Sequence, residues 1–586
     1  MRRLVPRALA LLGAYLAITI WRTWPLAAHL TTHLPKTTMG AGFDGRFPLW
    51  ALAYEAHALA AAPLHFADGN IYHPQAQALF YGPTAIGALP YFGPAFLLSG
   101  NPFLAINVML IVCVSLTAWG LHIVVERWTG LATAGVLAAC ALLTNPWLFV
   151  WAAGVPQYAV LSYFPWIALL ASDRSAGWGR VLIIVPLIVL QSLADPVYVA
   201  PAVFAPVGLI ALGRLRHQAA RPSGIRLIAA LALSALVLLP VYVGYARVRV
   251  GNPQLDTQSL WSAVSPPALF VPPLELGWNG LVCHDGAGGN HSASEASAVM
   301  LLLIVAGVAC LLLSRSRSTS PRTGWAHGLL WGGVGIMLSI PAATFFGRAT
   351  VYLPLYQAAL RWTPGLFNVV RVPQRYGVAT LIGFAMLTGV GFAQCTGELQ
   401  RRIRRPVLTA LLAAFAAVAM YVERRPQLQI PFPIVSAAPY RSSLLYAVRR
   451  TDGPLLELPV VGVPNALPDL RAKFVFAEAH ARSMCRSIFH WRPILNGYSS
   501  YWPVGFPERM ELATRLPDPD ALESLRRLSG LRSILVRLPE LSPTDQRTWL
   551  RLADGRGRPD LVLVARDQDE LLFDVKAAGA SATRGE

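Results

Sequence analysis

Residues 1–21, MRRLVPRALALLGAYLAITIW, place basic side chains ahead of a long apolar run that continues into WRTWPLAAHL, residues 21–30. A secretion signal opens the same way but closes on a small-x-small cleavage site, and none ends this run. The stretch therefore reads as a first membrane helix with its N-terminus in the cytoplasm. Similar runs recur along the chain, and about 20 mostly apolar residues suffice to cross a bilayer as a helix. Of the 586 residues 55% are hydrophobic and 13% charged, with mean hydropathy +0.48. Soluble proteins carry roughly 25% charged residues. The expected class is a polytopic α-helical membrane protein.

Eleven spans are expected, at about 8–27, 104–125, 131–150, 157–172, 180–194, 198–213, 227–245, 297–313, 325–342, 376–394 and 406–422. Alternation puts the loops 126–130, 173–179, 214–226, 314–324 and 395–405 inside, and these hold RLRHQAARPSGIR, SRSRSTSPR and ELQRRIRRP. The first outer loop, 28–103, has only Lys36 and Arg46 as basic residues, as the positive-inside rule requires. Glu423-Arg424-Arg425, just beyond the last span, is the exception. The net charge of +19 is thus a matter of orientation, and no nucleic-acid motif accompanies it. Nucleic acid is excluded as a partner, and the lipid bilayer takes its place.

The expected domains are a membrane part, 1–422, and an extracytoplasmic α/β tail, 423–586. In the tail PLLELPVV and SILVRL read as strands and LVLVARDQDELLFDV as a hairpin. Asp518-Pro519 and Ser542-Pro543 read as helix starts, each an N-cap followed by proline. Cys113, Cys140 and Cys310 fall in spans, and Cys395 on the cytoplasmic side. Cys283 and Cys485 both fall outside, where a disulfide between them would be stable in an oxidising compartment. No CxxC pair suggests zinc.

Candidate chemistry gathers on the outer side. Asp44, in GAGFDGRFPLW (residues 40–50), is suited to general-base work on a hydroxyl, to cation binding, or to capping the helix that follows. Glu55 and His57 lie further along that helix, either at the same cavity or on a solvated face. Asp68, Tyr72 and His73 follow in an aromatic surface segment, and Asp195 ends the fifth span, at a cavity or in a turn. Arg361, Arg371 and Arg375 stand at the outer mouth, where the orientation rule does not call for them. Arginine grips phosphate through paired donors, and the alternative is an ion pair with Asp44 or Asp68. His490, Asn496 and Tyr498, in HWRPILNGYSSYWP, suit carbohydrate contact or a packed loop joining the tail to the membrane part.

The segments FDGRFPLWALAYEAHAL, NIYHPQAQALFYGP, GNPFLAINVMLIV, PGLFNVVRVPQRYGV, LELPVV and HWRPILNGYSSYWP together resemble the GT-C superfamily of membrane glycosyltransferases, and more narrowly a set of its bacterial relatives. The resemblance implies a sugar transferred from a polyprenyl-phosphate donor to a glycan or lipid acceptor on the outer surface of a bacterial inner membrane. It implies Asp44 as the base, or as a ligand of a divalent cation such as Mg or Mn, with inversion at the anomeric carbon. Glu55, Asp68 and Asp195 are the candidate second acids. Arg361, Arg371 and Arg375 are candidates for the donor phosphate, and His57, Tyr72, His73, His490, Asn496 and Tyr498 for substrate. Gly45 stands where protein mannosyltransferases pair Asp with Glu, so a protein acceptor is not implied. Two other readings remain: a transporter or flippase of a lipid-linked solute, and a relative that binds a lipid-linked sugar without catalysis.

Overall fold

The structure is a computed structural model and describes residues 4–36, 43–174, 177–252, 296–313, 320–339, 342–345, 349–352, 373–403, 406–425, 428–437, 440–463, 470–555 and 558–576. Helices dominate as the apolar runs require. Pro102–Thr129, Gln218–Val250, Arg375–Gly397 and Pro406–Arg424 are long and apolar enough to cross a membrane. The chain is a polytopic helical membrane protein. Helices α1 (Leu4–Arg22), α7 (Trp178–Ser192), α8 (Val199–Leu215), α10 (Ala298–Leu313) and α11 (Ser320–Ser339) fall on further expected spans.

The expected spans 131–150 and 157–172 are not continuous helices. Helix α5 covers Ala132–Leu143 and α6 only Phe164–Ser172. Between them the chain turns through a π segment, Leu148–Ala152, and a 3-10 turn, Pro156–Ala159. Pro146 and Pro156 interrupt the run, because a residue before proline is pushed out of the α region. Irregular backbone at membrane depth is tolerated where protein buries it or it lines a cavity. Trp147, Tyr158 and Phe164 here are all buried.

Contacts sort the helix ends into two faces. On one face Arg7 of α1 meets Glu126 of α4 (Pro102–Thr129) at 2.6 Å, and Trp128 Nε1 donates to Ser172 Oγ at 3.2 Å. There too Arg214 Nη1 donates to Ser223 Oγ at 2.9 Å. On the opposite face Asn107 Nδ2 donates to the carbonyls of Leu30 and His33, both at 2.8 Å. The Glu423 carboxylate also lies here and accepts from the amides of Ala298 and Val299 at 2.6 and 3.2 Å, capping α10. That cap accounts for an acid in the cluster that the orientation rule left unexplained.

The tail holds a four-stranded sheet in the order β5-β6-β8-β7, from Leu455–Leu458, Ser533–Arg537, Glu570–Val575 and Leu561–Arg566. β5 and β6 are parallel and the other pairs antiparallel. Asp518 Oδ1 accepts from Ala521 N at 2.9 Å and Ser542 Oγ from Asp545 N at 3.2 Å, so both expected caps form. A short strand of the loop after α1, β1 (His33–Pro35), pairs antiparallel with β4 (Ile434–Ser436) at the start of the tail.

Candidate active site

The irregular segment between α5 and α6 makes a polar floor at the same helix ends as the Glu423 cap. Tyr158 donates to Asp195 Oδ2 at 2.7 Å, and Arg375 Nη1 donates to the Tyr158 hydroxyl at 3.0 Å. The Arg375 guanidinium lies 5.2 Å from the ring centres of both Tyr158 and Tyr198, within the range of cation–π attraction. Asp195 Oδ1 takes the amides of Val197 and Tyr198 at 2.9 and 3.1 Å, in the turn that leads into α8. Two of the expected site residues, Asp195 and Arg375, thus come together through a tyrosine that had read as part of a span. The arginine's anionic neighbour is Asp195, reached through Tyr158.

Above this floor stands α2, Phe43–Ala61. The helix begins one residue before Asp44, so Asp44 lies in its first turn rather than at the N-cap, where the helix dipole favours an acid. Pro48 inside the helix has no amide to offer the carbonyl of Asp44 four residues back. A Cβ built on Gly45 would stand 3.5 Å from the Gly154 carbonyl oxygen and 3.9 Å from that of Pro35. The turn that carries Asp44 is therefore seated on the floor segment that carries Tyr158. The side chain of Asp44, together with Arg361, Arg371 and Cys283, lies outside the described residues.

Glu55 does not share that position. Eleven residues of helix separate it from Asp44 by about 16 Å along the axis. It is 0% exposed, and its Oε1 accepts from Ala85 N at 3.0 Å. Burial pushes its carboxyl up to about 8, although the Ala85 amide pulls the other way. Asp68 is a half-exposed turn residue, 3.0 Å from His65 Nδ1 and 3.4 Å from Gln77 N.

The remaining candidates lie where the segment 43–73 meets the tail. The His57 and Trp491 rings stack at 3.9 Å with an interplanar angle of 2°. Tyr72 N donates to Asn496 O at 3.1 Å and His73 N to Ile494 O at 3.0 Å. The Tyr72 hydroxyl lies 3.1 Å from both Ser499 Oγ and the Tyr501 carbonyl. Tyr498 meets Phe47 of α2 edge-on at 6.3 Å. Asn496 Oδ1 accepts from Glu457 N at 2.9 Å, and its Nδ2 donates to Glu457 O at 3.0 Å. His490 Nδ1 accepts from Arg492 N at 3.1 Å. His57 and Phe47 thus join α2 to the tail, Tyr72 and His73 join the segment after α2 to it, and the Asn496 and His490 bonds lie within the tail.

No family model and no curated protein sequence matches this chain. Among solved structures it is similar to the crystal structure of ArnT from Cupriavidus metallidurans bound to undecaprenyl phosphate. The TM-score is 0.43 and the identity 13%, over 97% of each chain.

Cys485 is a buried free thiol, and Cys283, the other half of the expected disulfide, lies outside the described residues. The Cys485 Sγ lies 3.6 Å from the Arg46 carbonyl, inside the contact between α2 and the tail helix α15, Leu470–Ser487. The same contact carries an ion pair between Arg46 and Glu478. Sequence reading missed this pair, as it missed Tyr158. It also missed Glu457, 1% exposed, whose Oε2 accepts from Arg486 Nε at 2.6 Å. Burial opposes ionisation of Glu457, but Arg486 and His490 outweigh it and hold the carboxyl below its ordinary range. Among the described residues no three His, Cys, Asp or Glu side chains form a metal-ligating group.

Proposed function

We propose that the chain is an inner-membrane glycosyltransferase that moves a sugar from a polyprenyl phosphate to an outer-surface glycan or lipid hydroxyl, with Asp44 as base. The observation that carries this reading is the seating of the Asp44 turn on the non-helical floor that presents Tyr158 and Arg375. In the proposed step the acceptor oxygen attacks the anomeric carbon, and its proton passes to the Asp44 carboxylate. The bond from that carbon to the phosphate oxygen breaks, and the phosphate leaves with the electron pair. Positive charge placed where that charge develops lowers the barrier, and Arg375, held in place by Tyr158, is assigned that role with Arg371 and Arg361. One direct displacement inverts the anomeric centre. The donor class comes from the sequence resemblance. A divalent cation, Mg or Mn, stays a proposal through Asp44 alone, and no step here depends on it.

The test is transfer by purified protein in lipid, using radiolabelled polyprenyl-phosphate sugars and an acceptor pool extracted from membranes. Asp44→Asn is expected to lower transfer by on the order of a hundredfold or more, in line with general-base contributions, while its melting temperature stays that of the wild type. Equal transfer by both proteins removes Asp44 from the chemistry. Transport of a labelled lipid across vesicles without transfer would favour the flippase reading.

A further inference from the structure

Arg22 is the last residue of α1, and it is only 4% exposed. Its Nε, Nη1 and Nη2 are all buried, and among the described residues none has a hydrogen-bond partner. Its guanidinium sits 4.4 Å from the centre of the Phe149 ring. That ring softens the isolation of the charge but accepts none of the five N–H bonds in the usual way. Arginine cannot shed its charge in a protein, and a buried charge without a counter-charge is strongly unfavourable. The fold thus holds a desolvated cation for which the described residues provide no anion.

Position narrows the class of anion. Trp21 and Trp24, on either side, are both 55% exposed, whereas Thr19, Arg22 and Thr23 are buried. Tryptophans exposed in this way mark the level of the lipid headgroups. Phe149 belongs to the floor segment that, at Gly154, also receives the Asp44 turn. We infer that Arg22 binds the phosphate head of a membrane lipid at the outer end of α1, beside the floor and apart from Arg375. The inference takes its ligand class from the transferase reading above. A forked guanidinium suits a phosphate monoester, which offers several acceptor oxygens to parallel N–H bonds.

The test compares wild type, Arg22→Gln and Arg22→Lys in detergent, measuring binding of undecaprenyl phosphate, phosphatidylglycerol and inorganic phosphate together with thermal melting. Charge-assisted hydrogen bonds predict that Arg22→Gln weakens undecaprenyl phosphate binding on the order of tenfold or more, with a smaller loss for Arg22→Lys. Selective loss of phosphatidylglycerol binding would support the site and identify bulk phospholipid as its source. Unchanged affinity for both lipids in a folded Arg22→Gln overturns the inference, as does an effect confined to inorganic phosphate. Unliganded Arg22→Gln is expected to melt no lower than wild type, because it removes an unpaired charge. A lower melting point with unchanged lipid affinity means that the guanidinium only packs against Phe149, and it too overturns the inference. If Arg22→Gln does not fold, Arg22→Lys decides by the same readouts. Lipid binding that depends on Arg22 in a protein that transfers no sugar leaves the site standing and removes the transferase.

Discussion

Glu55 shows how little a single residue's role can be read from its neighbours in sequence. It had been expected either at one cavity with Asp44 or on a solvated face, and its full burial excludes the solvated face. What buries it is the segment around Ala85, and Tyr245 holds that segment by donating to the Gly82 carbonyl at 3.0 Å and accepting from Thr84 N at 3.0 Å. The carboxyl titrates near 4.5 when unperturbed and at about 8 in the fold. Between those values the folded chain holds a proton that the unfolded chain has released, so stability falls as pH rises through the interval. Glu55→Gln is expected to remove that decline and to melt higher than wild type at pH near 9. Melting curves for both proteins at several pH values check this, and a wild-type melting point independent of pH would sink it.

At the scale of elements, two tail helices, Pro519–Ser529 and Pro543–Ala553, and the hairpin were legible because their signals are local: a cap and a proline, or alternation around a polar turn. The junction between residues 70–73 and 494–497 was not legible. There Ile494 N donates to Asn70 O at 2.8 Å, and Tyr72 and His73 donate back to the other strand. A Cβ on Gly497 would lie 2.3 Å from Tyr72 Cδ1. Tyr72 is itself buried and held by Ser499, so neither side has room to yield. Gly497→Ala is expected to destabilise the protein by about 1–3 kcal/mol, the usual cost of overpacking. Denaturation of both proteins measures this, and equal midpoints would show that the ring moves aside freely.

At the scale of the molecule, the tail is fastened to the outer loop along a continuous seam. β1 pairs with β4, Arg46 with Glu478, and His57 stacks on Trp491. Asn70 takes the Trp50 indole N–H at 2.8 Å and donates to Arg492 O at 3.3 Å. Each buried hydrogen bond of this kind contributes about 1 kcal/mol net, and removing Asn70 also leaves the Trp50 indole unsatisfied. The double variant Asn70→Ala, His57→Ala is expected to loosen the tail, exposing the stretch after the last span to protease while the membrane helices stay folded. An unchanged digestion pattern would mean that the rest of the seam suffices to hold the tail. Loss of transfer in this variant with Asp44 intact would indicate that the seam positions the Asp44 turn.

The sequence by itself determined that this is a polytopic helical membrane protein, and it placed strands and two helix caps in the tail that the structure also has. Mean hydropathy, run length, basic bias and capping residues each act over a few residues and need no knowledge of the fold. Only the tertiary structure decided that the third and fourth apolar runs break into a polar floor. It also decided that Arg375 leans on Tyr158, 217 positions away, and Arg46 on Glu478, 432 positions away. The physical reason is one of range. Apolar periodicity selects a solvent for each segment, whereas a buried charge is stable only with a partner, and folding draws that partner from any distance along the chain.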